Sequence, residues 1–327
     1  MQTAHWRKAL VGLALLSLLL GGRPVSACSV PVFQYALERW PADPYEVVVF
    51  HRGSLSEQDQ ATAKWLKERD VYAESGANYL LRTIDLDASP DESAEKLWKA
   101  QATEKLPWLV ALYPRVSRIP VPAWAGELSL AAAKALVDSP LRQALAKQLL
   151  DGATTVWILI DCEEQKKNEA AEQLLRETLK HMESVIQLPD PEMGDEYEEA
   201  LAAEREGLKV SFPLKRLSRT DPAEKVLLDL LLHSEEDLLT FKEPIVFPVF
   251  GRGRALFALV GKGINEENLQ DACGFVCGAC SCEIKQMNPG VDLLLSTNWD
   301  AALSAKYAAA QGFVVIAPPD EAKAEAK

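Results

Sequence analysis

A chain of 327 residues holding 48 acidic and 35 basic side chains carries a formal charge of −13 at neutral pH. That excess repels a phosphate backbone, and no basic stretch with interleaved aromatics offsets it, so the composition argues against nucleic-acid binding. The length exceeds one ordinary core and suits two units of about 120 to 150 residues.

His5, Arg7 and Lys8 precede an apolar run from Ala9 to Leu20, which gives way to Gly21-Gly22-Arg23-Pro24-Val25-Ser26-Ala27. A charged head, about 12 apolar residues and a small-residue end predict a secretory signal over residues 1–27, since a membrane span needs about 20. Cleavage before Cys28 removes three basic and no acidic residues and moves the formal charge to −16. Val25-Ser26-Ala27-Cys28 also resembles a bacterial lipobox, which would make Cys28 an acylated N-terminus and anchor the chain in a membrane. Arg23 and Pro24 stand between the apolar core and that box, so ordinary cleavage leaving Cys28 as a structural thiol competes. Either way the expectation is an exported protein, periplasmic or lipid-anchored to the cell envelope. No later segment is long and apolar enough to cross a bilayer.

From Tyr45 the pattern predicts a strand over Glu46–Phe50, a helix over Glu57–Asp70, a strand over Tyr79–Leu86 and a short helix over Ser93–Gln101. Pro107 opens a strand over Trp108–Tyr113, a partner strand follows near Ile119–Ala125, and Gly126 leads to a long Ala- and Leu-rich helical region ending near Leu150. The order returns after Asp151-Gly152: strand Thr154–Ile160, amphipathic helix Glu163–Val185, strand Lys209–Leu217 and helix Pro222–Leu232. Pro244 then opens strand Ile245–Phe250, Gly251-Arg252-Gly253 makes a tight reversal, Ala255–Val260 returns, and a helix starts near Asn265. Such alternation, ending twice in a hairpin and a helix, predicts an α/β architecture of mixed sheets with helices on both faces.

The stretch from Pro244 through Phe250, the glycine turn and the return strand to Gly261 resembles the C-terminal half of a thioredoxin domain, with Lys105–Tyr113 and Trp124–Gly126 a weaker copy. The resemblance, which covers most of residues 45–275, implies two tandem thioredoxin-like domains over 28–150 and 151–272. It also implies that Pro107 and Pro244 stand where the family has its cis-proline. At the family's Cys-x-x-Cys position the first half reads His51-Arg52-Gly53-Ser54, without a thiol. The second reads Asp161-Cys162-Glu163-Glu164, with one thiol and no resolving partner. Cys162 could form mixed disulfides if the helix start lowers its pKa, yet two following glutamates oppose that, which favours a structural cysteine.

Four of the six cysteines fall within ten residues, Cys273-Gly-Phe-Val-Cys277-Gly-Ala-Cys280-Ser-Cys282. Cys273 and Cys277, one turn apart, share a helix face. Three readings stay open. In an oxidising compartment six cysteines can form structural disulfides, with 15 connectivities. Cys273, Cys277, Cys280 and Cys282 could instead hold a soft metal, copper(I) more readily than zinc given the tight Cys280-Ser-Cys282 spacing. Cys277 and Cys280 could also be an exchanging dithiol. The first three cysteines have the spacing of radical-SAM enzymes, but only 45 residues follow Cys282 and export disfavours an iron-sulfur cluster, so that match is rejected.

The remaining signals are weaker. The histidines are scattered, with His51 alone at a strand end where thioredoxin-like folds put function, and the acidic stretch Asp195–Glu206 reads as a solvated helix. Asn288-Pro289-Gly290 marks a turn, Val291–Leu295 and Phe313–Ile316 read as short strands or packing segments, and Asp320–Lys327 as a polar tail. The sequence reading is an exported, non-catalytic thioredoxin-like accessory or binding protein of a bacterial envelope, with an unidentified protein partner. Its Cys-rich C-terminal segment, 273–327, is disulfide-stapled or binds a soft metal. The alternative is a thiol-disulfide oxidoreductase using Cys277 and Cys280. The non-catalytic reading places Cys277 far from Cys162 and Pro244.

Overall fold

A computed structural model describes residues 30–74, 76–189, 209–280 and 284–310. The expected signal, Cys28, the stretch 195–206, Cys282, the segment 313–316 and the tail 320–327 lie outside the described residues. The architecture is mixed α/β, with two mixed sheets covered by helices.

The first sheet is built from β1 (Tyr45–His51), β2 (Tyr79–Asp85), β3 (Trp108–Leu112) and β4 (Pro122–Glu127) in the order β2-β1-β3-β4. β1 and β2 are parallel, and β3 and β4 run antiparallel to their neighbours. Strand alternation divides β1 between two cores. Val47 and Val49 pack with Leu66 of α2 (Glu57–Lys67) and Leu136 of α4 (Leu130–Val137), while Val48 and Phe50 pack with Ala94 of α3 (Glu92–Ala100). The expected single helix before Leu150 is two, because Ser139 caps α5 (Pro140–Leu150) and Pro140 takes its first position, ending α4 at Val137.

The second sheet repeats that order and those directions. β5 (Val156–Ile160) pairs in parallel with β6 (Leu214–Leu217) across α6 (Gln165–Val185), and antiparallel with β7 (Ile245–Phe250). The expected return strand is divided into β8 (Arg254–Ala255) and β9 (Leu259–Val260), both on β7. β6 is shorter than the sequence suggested: Ser211 and Pro213 still accept hydrogen bonds through their carbonyls, but Pro213 has no N–H to donate. Between the sheets lies α7 (Lys225–Leu232), whose apolar residues cover most of its circumference. Leu227, Leu228 and Leu231 face the second core, Val226 and Leu230 the first, and only the stripe of Lys225 and Asp229, an i,i+4 ion pair, is left to solvent.

Two segments join this frame in ways the pattern did not indicate. Helix α1 (Val32–Arg39) precedes β1 in the chain, within the expected first unit, yet buries Val32, Phe33, Ala36 and, beyond its end, Trp40 in the second-sheet core with Trp157, Leu159 and Phe250. Gly251, at φ +58°, allows this approach, since a Cβ there would lie 2.6 Å from the Ala36 Cβ. Arg252, in the same turn, donates to the Leu37 and Glu38 carbonyls at 2.8 and 3.1 Å and so caps the helix. The second segment follows α8 (Glu266–Cys277). β10 (Val291–Asp292) adds to β8, Leu293 and Leu295 enter the second core, and Val291 and Leu294 enter the first. The chain then reaches α9 (Trp299–Ala310).

A buried ion cluster fixes that junction. The Asp292 carboxylate accepts from Arg254 at 3.0 Å, from Lys285 and from the Asp43 backbone N–H at 2.6 Å. Lys285 also reaches Asp43 at 3.0 Å and the Pro41 carbonyl, and Arg254 donates to the Asn288 and Pro289 carbonyls. Asp292, Arg254 and Lys285 are 2, 6 and 7 % exposed, so removing one charge strands the others without solvent. We expect Asp292→Ala to lower the unfolding free energy in urea by about 3–5 kcal/mol. A loss under about 1 kcal/mol would show that the cluster does not hold the junction.

Candidate functional site

The cysteine-rich segment is placed by α8 and by the short bridge at its C-terminal end. Asn265 caps α8, its side chain accepting from the Asn268 N–H, and Glu266 and Glu267 complement the helix dipole in the first turn. At four-residue spacing Cys273 and Cys277 fall on the inward face and are 0 and 2 % exposed. Gly278 ends the helix, and Ala279 pairs with Pro31 as an antiparallel bridge. Two hydrogen bonds flank the bridge, Val32 N–H to the Gly278 carbonyl and Cys280 N–H to the Val30 carbonyl, both at 2.9 Å. Cys280 thereby joins Cys273 and Cys277 in the core under α1, with Phe275 edge-on to Phe250 at 6.3 Å between ring centroids.

Burial sets the chemistry of these thiols. It pushes the Cys277 thiol up to about 12. Burial also raises Cys273 well above the usual thiol range, with the neighbouring Cys277 and then Glu183 adding to it. The thiolate is the nucleophile and the metal ligand, and this burial favours the protonated thiol at Cys277. No disulfide joins any two of Cys162, Cys273, Cys277 and Cys280. Among the described residues no three His, Cys, Asp or Glu side chains are gathered as metal ligands.

The positions singled out by the thioredoxin resemblance lie elsewhere. Cys162 follows β5, where the Asn168 side chain accepts from its N–H at 2.8 Å and donates to its carbonyl at 2.9 Å. Pro244 precedes β7 at the same end of the sheet, because Ile160 pairs with Ile245. Phe275 instead meets Phe250, at the other end of β7, about 17 Å along a strand of this length. The cluster and Cys162 therefore occupy opposite ends of the second sheet.

In the first sheet Phe50 pairs with Trp108, which sets His51 beside Pro107, and the Leu106–Pro107 bond is cis while the bond before Pro244 is trans. His51 Nδ1 meets the Gly53 carbonyl at 2.7 Å, and Arg52 pairs with Asp87 at 2.7 Å. Asp85 accepts from the Asp87 and Gly53 N–H groups, and these bonds, the Asp87 one foremost, hold its carboxyl below the usual range. Among the described residues this end carries polar groups and no thiol.

The sequence reading missed that α1 covers the cysteines. Its signal was present in Val32, Phe33, Ala36 and Trp40, apolar positions at helical spacing directly after the expected signal.

The raised thiols have a consequence for stability. A thiol whose folded pKa exceeds its unfolded one favours folding fully below the ordinary value near 9, and that contribution disappears as pH rises toward about 12. Each such thiol adds up to about 1.4 kcal/mol per pH unit to the alkaline loss of stability. We expect urea midpoints between pH 9 and 10 to fall less steeply in Cys277→Ala than in the parent chain. Equal slopes would contradict the burial of an uncharged thiol there.

No family model matches this sequence, and no match is found among curated proteins.

Proposed function

We propose that the chain is an exported, non-catalytic binding or accessory protein of a bacterial envelope, built of two tandem thioredoxin-like units whose cysteine-rich segment is structural. The family reading is supported by the shared strand order of the two sheets, each a parallel pair extended by antiparallel strands, and by cis-Pro107 beside His51. One observation carries the non-catalytic reading. Cys273, Cys277 and Cys280 are core residues under α1 and α8, at the sheet end opposite Cys162 and Pro244. A dithiol enzyme needs the reverse, an accessible thiolate at a helix N-terminus with a resolving partner.

The exposed first-sheet end around His51, Arg52 and Pro107 is the surface we assign to partner binding. Its polar groups are positioned by Asp85 and Asp87, and among the described residues no thiol stands there to form a mixed disulfide with the partner.

Insulin reduction with a dithiol donor, combined with alkylation rates, tests this. The parent chain should turn over no faster than a Cys277→Ser/Cys280→Ser variant, and Cys277 should resist maleimide for as long as the protein stays folded. Turnover that disappears in the double variant would establish the oxidoreductase alternative instead.

A further inference from the structure

The sheet face that carries Glu46, Val48 and Phe50 is covered at one end only. α3 closes over Val48 and Phe50, and the buried cluster it makes there stops short of Glu46. Beyond it, at the Tyr45 end of β1, lies a cavity of about 520 Å³, a size at which small-molecule sites are found. Pro44, Leu80, Leu81 and Val116 give it apolar walls. Tyr72 and Val116 line it from two separate turns, 80 and 53 % exposed.

The polar wall is built around one carboxylate. Glu46 takes Arg82 of β2 on Oε1 at 2.5 Å and Arg115 on Oε2 at 2.9 Å. Arg115 begins the turn Arg115–Ser117, which Ser117 ties back to the Pro114 carbonyl through both its N–H and its hydroxyl. Partial burial opposes the Glu46 charge, but the bonds from Arg82 and Arg115 outweigh it and hold the carboxyl below its usual range. Glu46 therefore stays ionised and fixes both guanidiniums at the cavity. Each spends one of its five N–H donors on that carboxylate. Arg82 also approaches Asp91, at 3.7 Å, whereas Arg115, 84 % exposed, has Glu46 as its one ion-pair partner among the described residues.

The donors left over suit an anion with two oxygens in one plane, the geometry an arginine fork matches best. A phosphate monoester, close to a dianion at neutral pH, would meet stronger repulsion from Glu46 and from a chain of charge −13. We propose that this cavity binds a small organic carboxylate, its carboxyl on Arg115 and Arg82 and its apolar body against Leu80, Leu81 and Val116. The site lies at the opposite end of β1 from His51 and needs neither the export nor the thioredoxin-like reading, so its fate is separate from theirs.

Titration of the full chain with 3-phenylpropionate and with octanoate, each beside its neutral amide, tests this by methyl NMR of leucine and valine. Saturable shifts at Leu80, Leu81 and Val116 are expected with at least one acid in the millimolar range or below. Its amide should bind at least about tenfold more weakly, because a charge-assisted pair with arginine is lost. Arg115→Gln should weaken the acid by about the same factor with an unchanged urea midpoint, since the side chain is exposed and Glu46 keeps Arg82. Val116→Glu should weaken it too, by placing a like charge in the wall, whereas Lys147→Gln on α5 should change nothing. Absence of saturable binding by either acid, equal affinity for acid and amide, shifts confined to other residues, or full affinity in Arg115→Gln would overturn the proposal. Tighter binding of phenyl phosphate than of both acids would overturn the carboxylate assignment.

Discussion

The structure depends on one closure, the antiparallel contact of Val30–Val32 with Gly278–Cys280 and the seating of α1 that goes with it. Without α1, Trp157, Leu159 and Phe250 on one face of the second sheet would lose part of their cover, and so would three cysteines. A thiol costs little inside an apolar core, where cysteine behaves as a small hydrophobe. The same thiol in a wet cleft would be a reactive group. The closure therefore decides what kind of chemistry the cysteine-rich segment can have.

A second constraint holds the two sheets to each other. α7 is apolar around most of its circumference and serves both cores, and the 291–295 segment alternates between them. Asn78 joins that segment to the first sheet, its side chain donating to the Asp43 and Leu293 carbonyls and accepting from the Leu295 N–H. The charges at Asp43, Arg254, Lys285 and Asp292 supply direction where apolar packing supplies none. Residues that read as a separate C-terminal segment are thus mortar between the sheets.

Much of the fold was legible because it rests on local pattern. The runs Val47–Phe50 and Val156–Ile160 are continuous and apolar as doubly covered strands must be, and Asn265 marks a helix start by capping. What was not legible depends on distant partners. Nothing local in Val32–Arg39 says that it packs on a sheet formed more than a hundred residues later. The return strand breaks between Ala255 and Leu259 because Pro248, opposite Leu256, accepts from the Leu256 N–H but has no N–H to return, and the Ala258 N–H turns to Glu235. For the cysteines, spacing indicated a shared helix face, but whether that face met solvent or core was set by α1. The spacing alone left disulfide, metal and dithiol chemistry all open.

The central claim is that the N-terminal segment closes over the cysteine-rich helix in the native state. Native-state hydrogen exchange of the Val32 and Cys280 amides tests it most directly, because both bonds exist only in the closed arrangement. The account predicts protection approaching that of the β5 and β7 core amides. Exchange at unprotected rates while those core amides remain protected would contradict it, leaving α1 undocked and the thiols open to solvent.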